Sequence, residues 1–286
     1  MMEQELILWS DRISYLTPVG PTDRPILMAV SGDRHTLMID AGNSAAHAKL
    51  FLEKLKEAGR PQPTMAAITH WHWDHIFGLE SLDIPSIASV DTRVEMEKLV
   101  PFKWDDQSLD ERVEEGIEIQ FCADAIKQEF PQQERPIRIS LPDITFKDEM
   151  TIDLGGITCV LKQVGGDHAP DSVIIYIKEE RMAFLADATV PKMYAPTWRF
   201  TAKAALDMLD KIEMFDADTY IISHWKPITR EEYQAEASLL RTLSHLVSAY
   251  EGDQYKMKKG LEAFYGRPLT NEEQETLMYF VNGFIG

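Results

Sequence analysis

Two cysteines in 286 residues are too few for a disulfide-stapled scaffold, and neither Cys122 nor Cys159 belongs to a CxxC pattern. A thiolate zinc site is thereby excluded, and two buried apolar thiols are the expectation. Long hydrophobic runs are also missing, with no apolar stretch approaching the ~20 residues of a membrane span. The N-terminal stretch carries Glu3, Glu5 and Asp11 in place of a basic segment and an apolar core. No signal peptide is therefore expected, and the expected compartment is the cytoplasm. Positive charge is scarce, because 29 Lys and Arg face 47 Asp and Glu for a net charge of −18. Such a field repels phosphate backbones and anionic lipid, so the expected partner is a small-molecule substrate, without nucleic acid or membrane. The tightest basic cluster, residues 256–259, reads as a solvated helix face.

What remains is a globular composition, 44% apolar and 27% charged. Short apolar or alternating runs at 6–9, 13–16, 26–30 and 36–39 are separated by Pro, Gly and Asp and predict strands. Asn43 opens a helix of Leu-rich period that ends near Ala58, before Gly59 and Pro61. A strand at 65–69 then leads into His70. Residues 91–130 are acidic and helical, and read either as an insertion near the mouth of a site or as plain surface helices. Strands are expected again at 137–139, 151–154, 157–164, 173–177 and 182–185, with Gly155-Gly156 as a tight hairpin turn. A helix at 201–215 and a strand at 219–223 precede three helices, 231–250, 254–265 and 271–284, the last capped by Thr270. Strands in two groups with helices outside them suggest layered sheets.

The run Thr69-His70-Trp71-His72-Trp73-Asp74-His75 carries the chemistry. On a strand, residues i and i+2 point the same way, so His70 and His72 can share one ion as the strand ends. Asp74 and His75 then face a second ion across a turn that Gly78 loosens. Imidazole with carboxylate suits zinc, with iron or manganese as further options. A structural reading would require four buried polar groups, each with a partner, beside two Trp rings.

On these residues the chain resembles the metallo-β-lactamase superfamily. Its HxHxDH motif matches His70 to His75, and its first motif matches Ile39-Asp40-Ala41-Gly42. Its third matches Gly165-Gly166-Asp167-His168-Ala169-Pro170-Asp171-Ser172, its bridging Asp matches Leu185-Ala186-Asp187, and its last His matches Ile221-Ile222-Ser223-His224. The resemblance implies a four-layer αβ/βα sandwich of two mixed β-sheets flanked by helices, with the site at one edge of the sheets. Residues 1–228 would form that domain, with the insertion at about 91–130, and residues 229–286 a C-terminal helical extension packed on it. It also implies that His70, His72 and His168 hold one metal ion, that Asp74, His75 and His224 hold a second, and that Asp187 bridges them. Asp40 would stand behind the ligands and orient their loop by hydrogen bonds. His35, His47 and His245 fall off the pattern and read as structural or exposed.

Two such ions, Zn2+ by expectation, lower the pKa of a shared water from ~15.7 toward 7. Asp74 is the candidate to hold or relay its proton. Tyr194 and Lys192 follow Asp187 and either assist the electrophile's oxygen or lie on the surface. Trp71, Trp73, Trp104 and Trp198 either line a pocket or pack in the core. The expected function is a dinuclear metal-dependent hydrolase of an ester-like bond in a small metabolite, with lactone or thioester as the guess. The alternatives are a mononuclear iron oxygenase on the same fold and a phosphodiesterase. A flavin-dependent diiron reductase would place Glu where this chain has His72.

Overall fold

The computed structural model describes residues 4–132 and 134–285. Short, mostly apolar strands, buried on both faces in the second, third and fourth, build the first sheet. In it β1 (Leu6–Leu8), β2 (Ile13–Leu16), β3 (Leu27–Ser31) and β4 (Thr36–Ile39) run antiparallel. Then β5 (Met65–Ala67), β6 (Ser86–Ser89) and β7 (Ile144–Phe146) continue from β4 in parallel register. Parallel neighbours need crossovers, and α1 (Ala45–Glu57) supplies the first. It lays Phe51 and Leu55 on Leu16, Leu27 and Met38 of the sheet's outer face. Its cap is Ser44, whose hydroxyl accepts from the His47 N–H at 3.0 Å. Asn43, the expected opener, instead donates its amide to the Thr22 carbonyl at 2.7 Å.

The second sheet has β8 (Glu149–Asp153), β9 (Thr158–Gln163), β10 (Val173–Ile177), β11 (Met182–Ala186), β12 (Thr219–Ile222) and β13 (Pro227–Thr229) in the order β13-β12-β11-β10-β9-β8. Only β11 and β12 pair in parallel, joined across α6 (Ala202–Ile212). Between β8 and β9 the expected hairpin forms. Gly155 and Gly156 have φ of 91° and 72°, the positive values a two-residue turn of matching twist requires.

The two sheets face each other through Val30, Leu37 and Ile39 on one side and Leu161, Ile175 and Phe184 on the other. The strand β10 is buried on both faces. Ile175 points into this inner core, while Ile174 and Tyr176 meet the outer helices. That is why its sequence is one continuous apolar run. The outer helices are α6 with α7 (Arg230–Ala249), α8 (Gln254–Tyr265) and α9 (Asn271–Ile285), whose Leu277, Phe280 and Val281 join the same cluster as Met208 and Leu209. Thr229 both ends β13 and caps α7, in a reciprocal capping box with Glu232. Helix, sheet, sheet and helix make four layers, the α/β sandwich expected.

The span 91–130 is helical as expected, with α3 (Val90–Leu99), α4 (Asp106–Glu114) and α5 (Gln120–Glu129). Its Leu99, Trp104, Leu109 and Ile126 pack on Trp73 and Phe77 beside the histidine-rich loop. Several readings need correction. No strand forms at 137–139; Ile137 and Ile139 lie in irregular chain against the insertion, where their apolar spacing serves packing. The strands β6, β7 and β13 escape the sequence pattern because they are three or four residues long and are defined by their partners. The strand β5 stops at Ala67, so His70 and His72 stand in a loop past it and not on a strand.

Candidate metal centre

All the sequence-predicted ligands converge where loops leave one edge of the two sheets. Asp40, just after β4, holds a left-handed backbone with φ of 59°. Its fully buried carboxylate accepts from the Thr69 N–H at 2.8 Å, from the Thr69 hydroxyl at 3.0 Å and from His75 Nδ1 at 2.7 Å. A second carboxylate, Asp171, accepts from the Trp71 N–H at 3.0 Å. Burial pushes the Asp171 carboxyl up to about 7. Asp171 thereby pins the loop that carries His70 and His72. Ser172 does cap locally, donating to the Ala169 carbonyl at 2.7 Å.

The chain then enters a single helical turn, α2 (Trp73–Ile76), which presents Asp74 and His75 side by side. Gly78 follows in ordinary helical conformation, so conformational freedom is not its use. A Cβ there would stand 2.0 Å from the Ala41 carbonyl oxygen. Its hydrogen lets α2 and the segment after β4 approach, with the Gly78 N–H donating to the Gly42 carbonyl at 2.9 Å. His168 sits in the Gly165–Ser172 loop, Asp187 follows the end of β11, and His224 lies two residues beyond β12. At the end of β11 the pairing with β12 shifts register and Ala186 adopts φ of 50°, a bulge that turns Asp187 into the site.

Two clusters result. His70, His72 and His168 offer nitrogens within 4.8 Å of one another, and so do the ligand atoms of Asp74, His75, Asp187 and His224. His70 Nε2 faces His72 Nδ1 at 3.1 Å. Between the clusters lies Asp187 Oδ2, at 3.1 Å from His75 Nε2, 3.3 Å from His224 Nε2, 3.7 Å from His168 Nε2 and 3.9 Å from His70 Nε2. Asp74 Oδ2 reaches His75 Nε2 at 2.9 Å and His224 Nε2 at 3.0 Å.

Outer partners set which nitrogen points inward. His70 Nδ1 lies 3.1 Å from the Thr69 hydroxyl, His75 Nδ1 is held by Asp40, and His168 Nδ1 donates to the Pro191 carbonyl at 3.3 Å. Asp23, which sequence reasoning missed, stands 3.3 Å from His224 Nδ1. It lies in a turn between two prolines and carries no local mark of a site.

The residues fit divalent metal ions. His168 Nε2 and Asp187 Oδ1 are buried without a hydrogen-bond partner among the described residues, an arrangement costing about 1–3 kcal/mol per group unless a ligand satisfies it. Burial holds His70, His72 and His168 below the ordinary imidazole range, the neutral form that ligates. In the other cluster burial also opposes charge, but carboxylates outweigh it. Asp74 and Asp40 raise His75, and Asp187 raises His224.

Over both clusters lies a cavity of about 190 Å³. Its far wall is Ile119, Phe121 and Cys122 of the insertion with Val190, Met193 and Tyr194. The insertion thus does reach the site mouth. Tyr194 stands with its ring centroid 5.0 Å from that of His72, and its hydroxyl is 3.5 Å from Cys122 Sγ. Lys192 does not line the cavity; its backbone pairs with Arg199. None of the four tryptophans lines it either. Trp73 and Trp104 are buried in the core under the insertion, Trp71 packs on His72, and Trp198 lies half-exposed against Tyr279. Of the remaining histidines, His35 and His245 are exposed, while His47 is buried 3.2 Å from the Gln4 amide.

No helix among the described residues is long and apolar enough to cross a membrane. No curated protein sequence matches the chain. Solved structures share its fold. A metallo-beta-lactamase from Pontibacter korlensis aligns with a TM-score of 0.59 at 18% identity, covering 84% of this chain and 99% of that one. One from Hirschia baltica aligns at 0.56 and 14% identity, covering 83% and 97%. A stereoselective inverting sec-alkylsulfatase from Pseudomonas sp. aligns at 0.65 and 14% identity over 99% of this chain, which spans only 49% of the sulfatase. The model of the metallo-beta-lactamase superfamily matches residues 25–224, and with the motifs and the fold in place the chain belongs to that superfamily.

Proposed function

We propose that the protein is a dinuclear metal-dependent hydrolase that cleaves an uncharged ester-like bond, a lactone or thioester, in a small metabolite with an apolar portion. The observation that carries this reading is the pairing of two ligand clusters with an apolar far wall. Beyond the ligands the cavity offers Ile119, Phe121, Val190 and Met193, and among the described residues no Lys or Arg lines it. A β-lactam carboxylate or a phosphodiester has an anionic group to place, and neither a Lys nor an Arg stands beside the ligands to receive it.

His70, His72 and His168 would hold one ion, Asp74, His75 and His224 the other, with Asp187 shared. Ions so held would polarise a carbonyl oxygen and supply hydroxide at neutral pH. Asp74 lines the cavity, with Oδ2 between His75 Nε2 and His224 Nε2, and would be the group to take a proton there. Burial holds the Tyr194 hydroxyl well above its ordinary pKa, so it stays protonated, with its proton directed at Cys122 Sγ in the cavity wall. The apolar wall excludes water and seats the acyl portion.

The test is turnover by zinc-, iron- and manganese-loaded protein on a panel of lactones, acyl thioesters, a β-lactam, a phosphodiester and an alkyl sulfate. Neutral lactones or thioesters should be turned over at least tenfold faster than every anionic substrate. Preference for an anionic substrate, or dioxygen uptake in place of hydrolysis, refutes the reading.

A further inference from the structure

We infer that Asp23 is a positioning residue for the second metal cluster, and that it is held in place by the helical insertion. The inference rests on the dinuclear reading above.

His224 is the ligand with the least support of its own. Its side chain is 30% exposed, against 6% or less for Asp74, His75 and Asp187 of the same cluster. It lies past the end of β12, where no ladder hydrogen bond fixes it. Its ring is held from both ends. Nε2 faces Asp74 and Asp187, while Nδ1 faces Asp23 Oδ1 at 3.3 Å. A carboxylate accepting from Nδ1–H keeps the Nε2 lone pair directed inward and raises its basicity as a ligand. Asp40 holds the corresponding place behind His75 with a hydrogen bond of 2.7 Å, while Asp23 stands at ion-pair distance from His224.

Asp23 is itself built into position. Its backbone is left-handed with φ of 53°, in a turn closed by its N–H to the Gly20 carbonyl at 3.0 Å. Asn43 holds the preceding Thr22 carbonyl, and the Ile26 N–H donates to the Ser223 carbonyl at 2.8 Å, next to His224. Arg24, the next residue, makes a two-pronged contact with Glu129 at 2.7 and 3.1 Å and a third bond to the Gln4 amide oxygen at 3.0 Å. Glu129 is the last residue of α5; its side chain is 3% exposed, and it also accepts from the Ser44 hydroxyl at 2.5 Å. The same α5 supplies Phe121 and Cys122 to the cavity wall. One helix therefore carries substrate-facing residues at its start and, at its end, the clamp that orients a metal ligand.

Asp23→Gly removes the carboxylate while suiting the left-handed backbone. Asp23→Asn keeps an oxygen that accepts from Nδ1–H and is also tolerated there. The readout is zinc stoichiometry and affinity by competition with a chromophoric chelator, independent of turnover, with circular dichroism confirming the fold. Wild-type protein should bind two ions. Asp23→Gly should weaken the second by about 10- to 100-fold and leave the first unchanged, and Asp23→Asn should recover most of that loss. Glu129→Gln, which loosens Arg24, should fall between wild type and Asp23→Gly. Equal affinities in wild type and Asp23→Gly, or loss in Asp23→Asn as large as in Asp23→Gly, overturns the inference while leaving two-metal binding standing. A wild-type protein that binds one ion overturns the dinuclear reading and this inference with it.

Discussion

Replacing Asp40 separates its structural from its electronic role. The carboxylate is fully buried and accepts three hydrogen bonds, two from Thr69 and one from His75. Hydrogen bonds to a charged acceptor contribute about 1.5–3 kcal/mol each. Asp40→Ala loses all three and places Ala at φ of 59°, a left-handed conformation that costs it about 1–2 kcal/mol. A loss of about 5 kcal/mol or more is expected, enough to unfold much of the population. Asp40→Asn keeps the oxygen facing Thr69 and tolerates the backbone, so its loss should stay near 1.5–3 kcal/mol. Its amide N–H groups, however, face His75 Nδ1 and can only donate. The imidazole proton must then move to Nε2, the nitrogen that points at Asp74 and Asp187 at 2.9 and 3.1 Å. A protonated Nε2 has no lone pair for a metal. Urea unfolding of each variant, beside zinc competition titration, measures the two effects separately. Asp40→Asn should be moderately destabilised yet lose the second ion by about 100-fold. An Asp40→Asn protein that holds two ions at wild-type affinity refutes the tautomer argument.

Gly78→Ala forces a Cβ to within 2.0 Å of a backbone oxygen, and overpacking of this kind costs about 3 kcal/mol. A fall in Tm of roughly 6–12 °C is expected for a chain of this size, and an unchanged Tm would show that the segment after β4 yields freely. Glu236, on α7, has its carboxyl pushed up to about 7 by burial. The folded state therefore holds this proton more tightly than the unfolded chain, and stability attributable to this group falls as pH rises from about 4.5 to 7. Glu236→Gln should match wild type in urea at pH 4.5 and exceed it by about 1–3 kcal/mol at pH 8; equal stability at pH 8 contradicts the assignment. Phe121, 48% exposed at the cavity mouth, can cover a substrate's acyl portion. Phe121→Ala should lower kcat/KM about tenfold for long acyl chains and little for acetyl; a uniform loss would place it in packing alone.

The site was legible in the sequence because its ligands come in compact motifs that chemistry makes improbable by accident. Asp40, 29 residues from Thr69 along the chain, was legible only through its motif. Asp23 and Asp171 were not read as supports of the ligand loops, because what recruits them is proximity across the fold. Asp23 meets a histidine some two hundred residues away, and Asp171 meets a backbone N–H 100 residues away. The strands missed have the same cause. In β7, Ile144 and Thr145 are exposed and Phe146 alone is buried, so no alternation marks it; pairing with β6 makes it a strand. The tryptophan of the insertion was legible as apolar but not as to direction. Trp104 meets Phe77 beneath α2, at 4.7 Å between ring centroids, and turns its back on the cavity. The lining residues Ile119, Phe121 and Cys122 lie at the start of α5, where helix geometry decides which face meets the ligands.

The most direct test of the account is the metal content of wild-type protein and of Asp187→Ala, measured by elemental analysis after purification without chelator. The position of Asp187 Oδ2 between both clusters predicts two transition-metal ions per wild-type chain and about one in Asp187→Ala, with the fold retained in each. A single iron in wild-type protein, or two ions retained in Asp187→Ala, would contradict it.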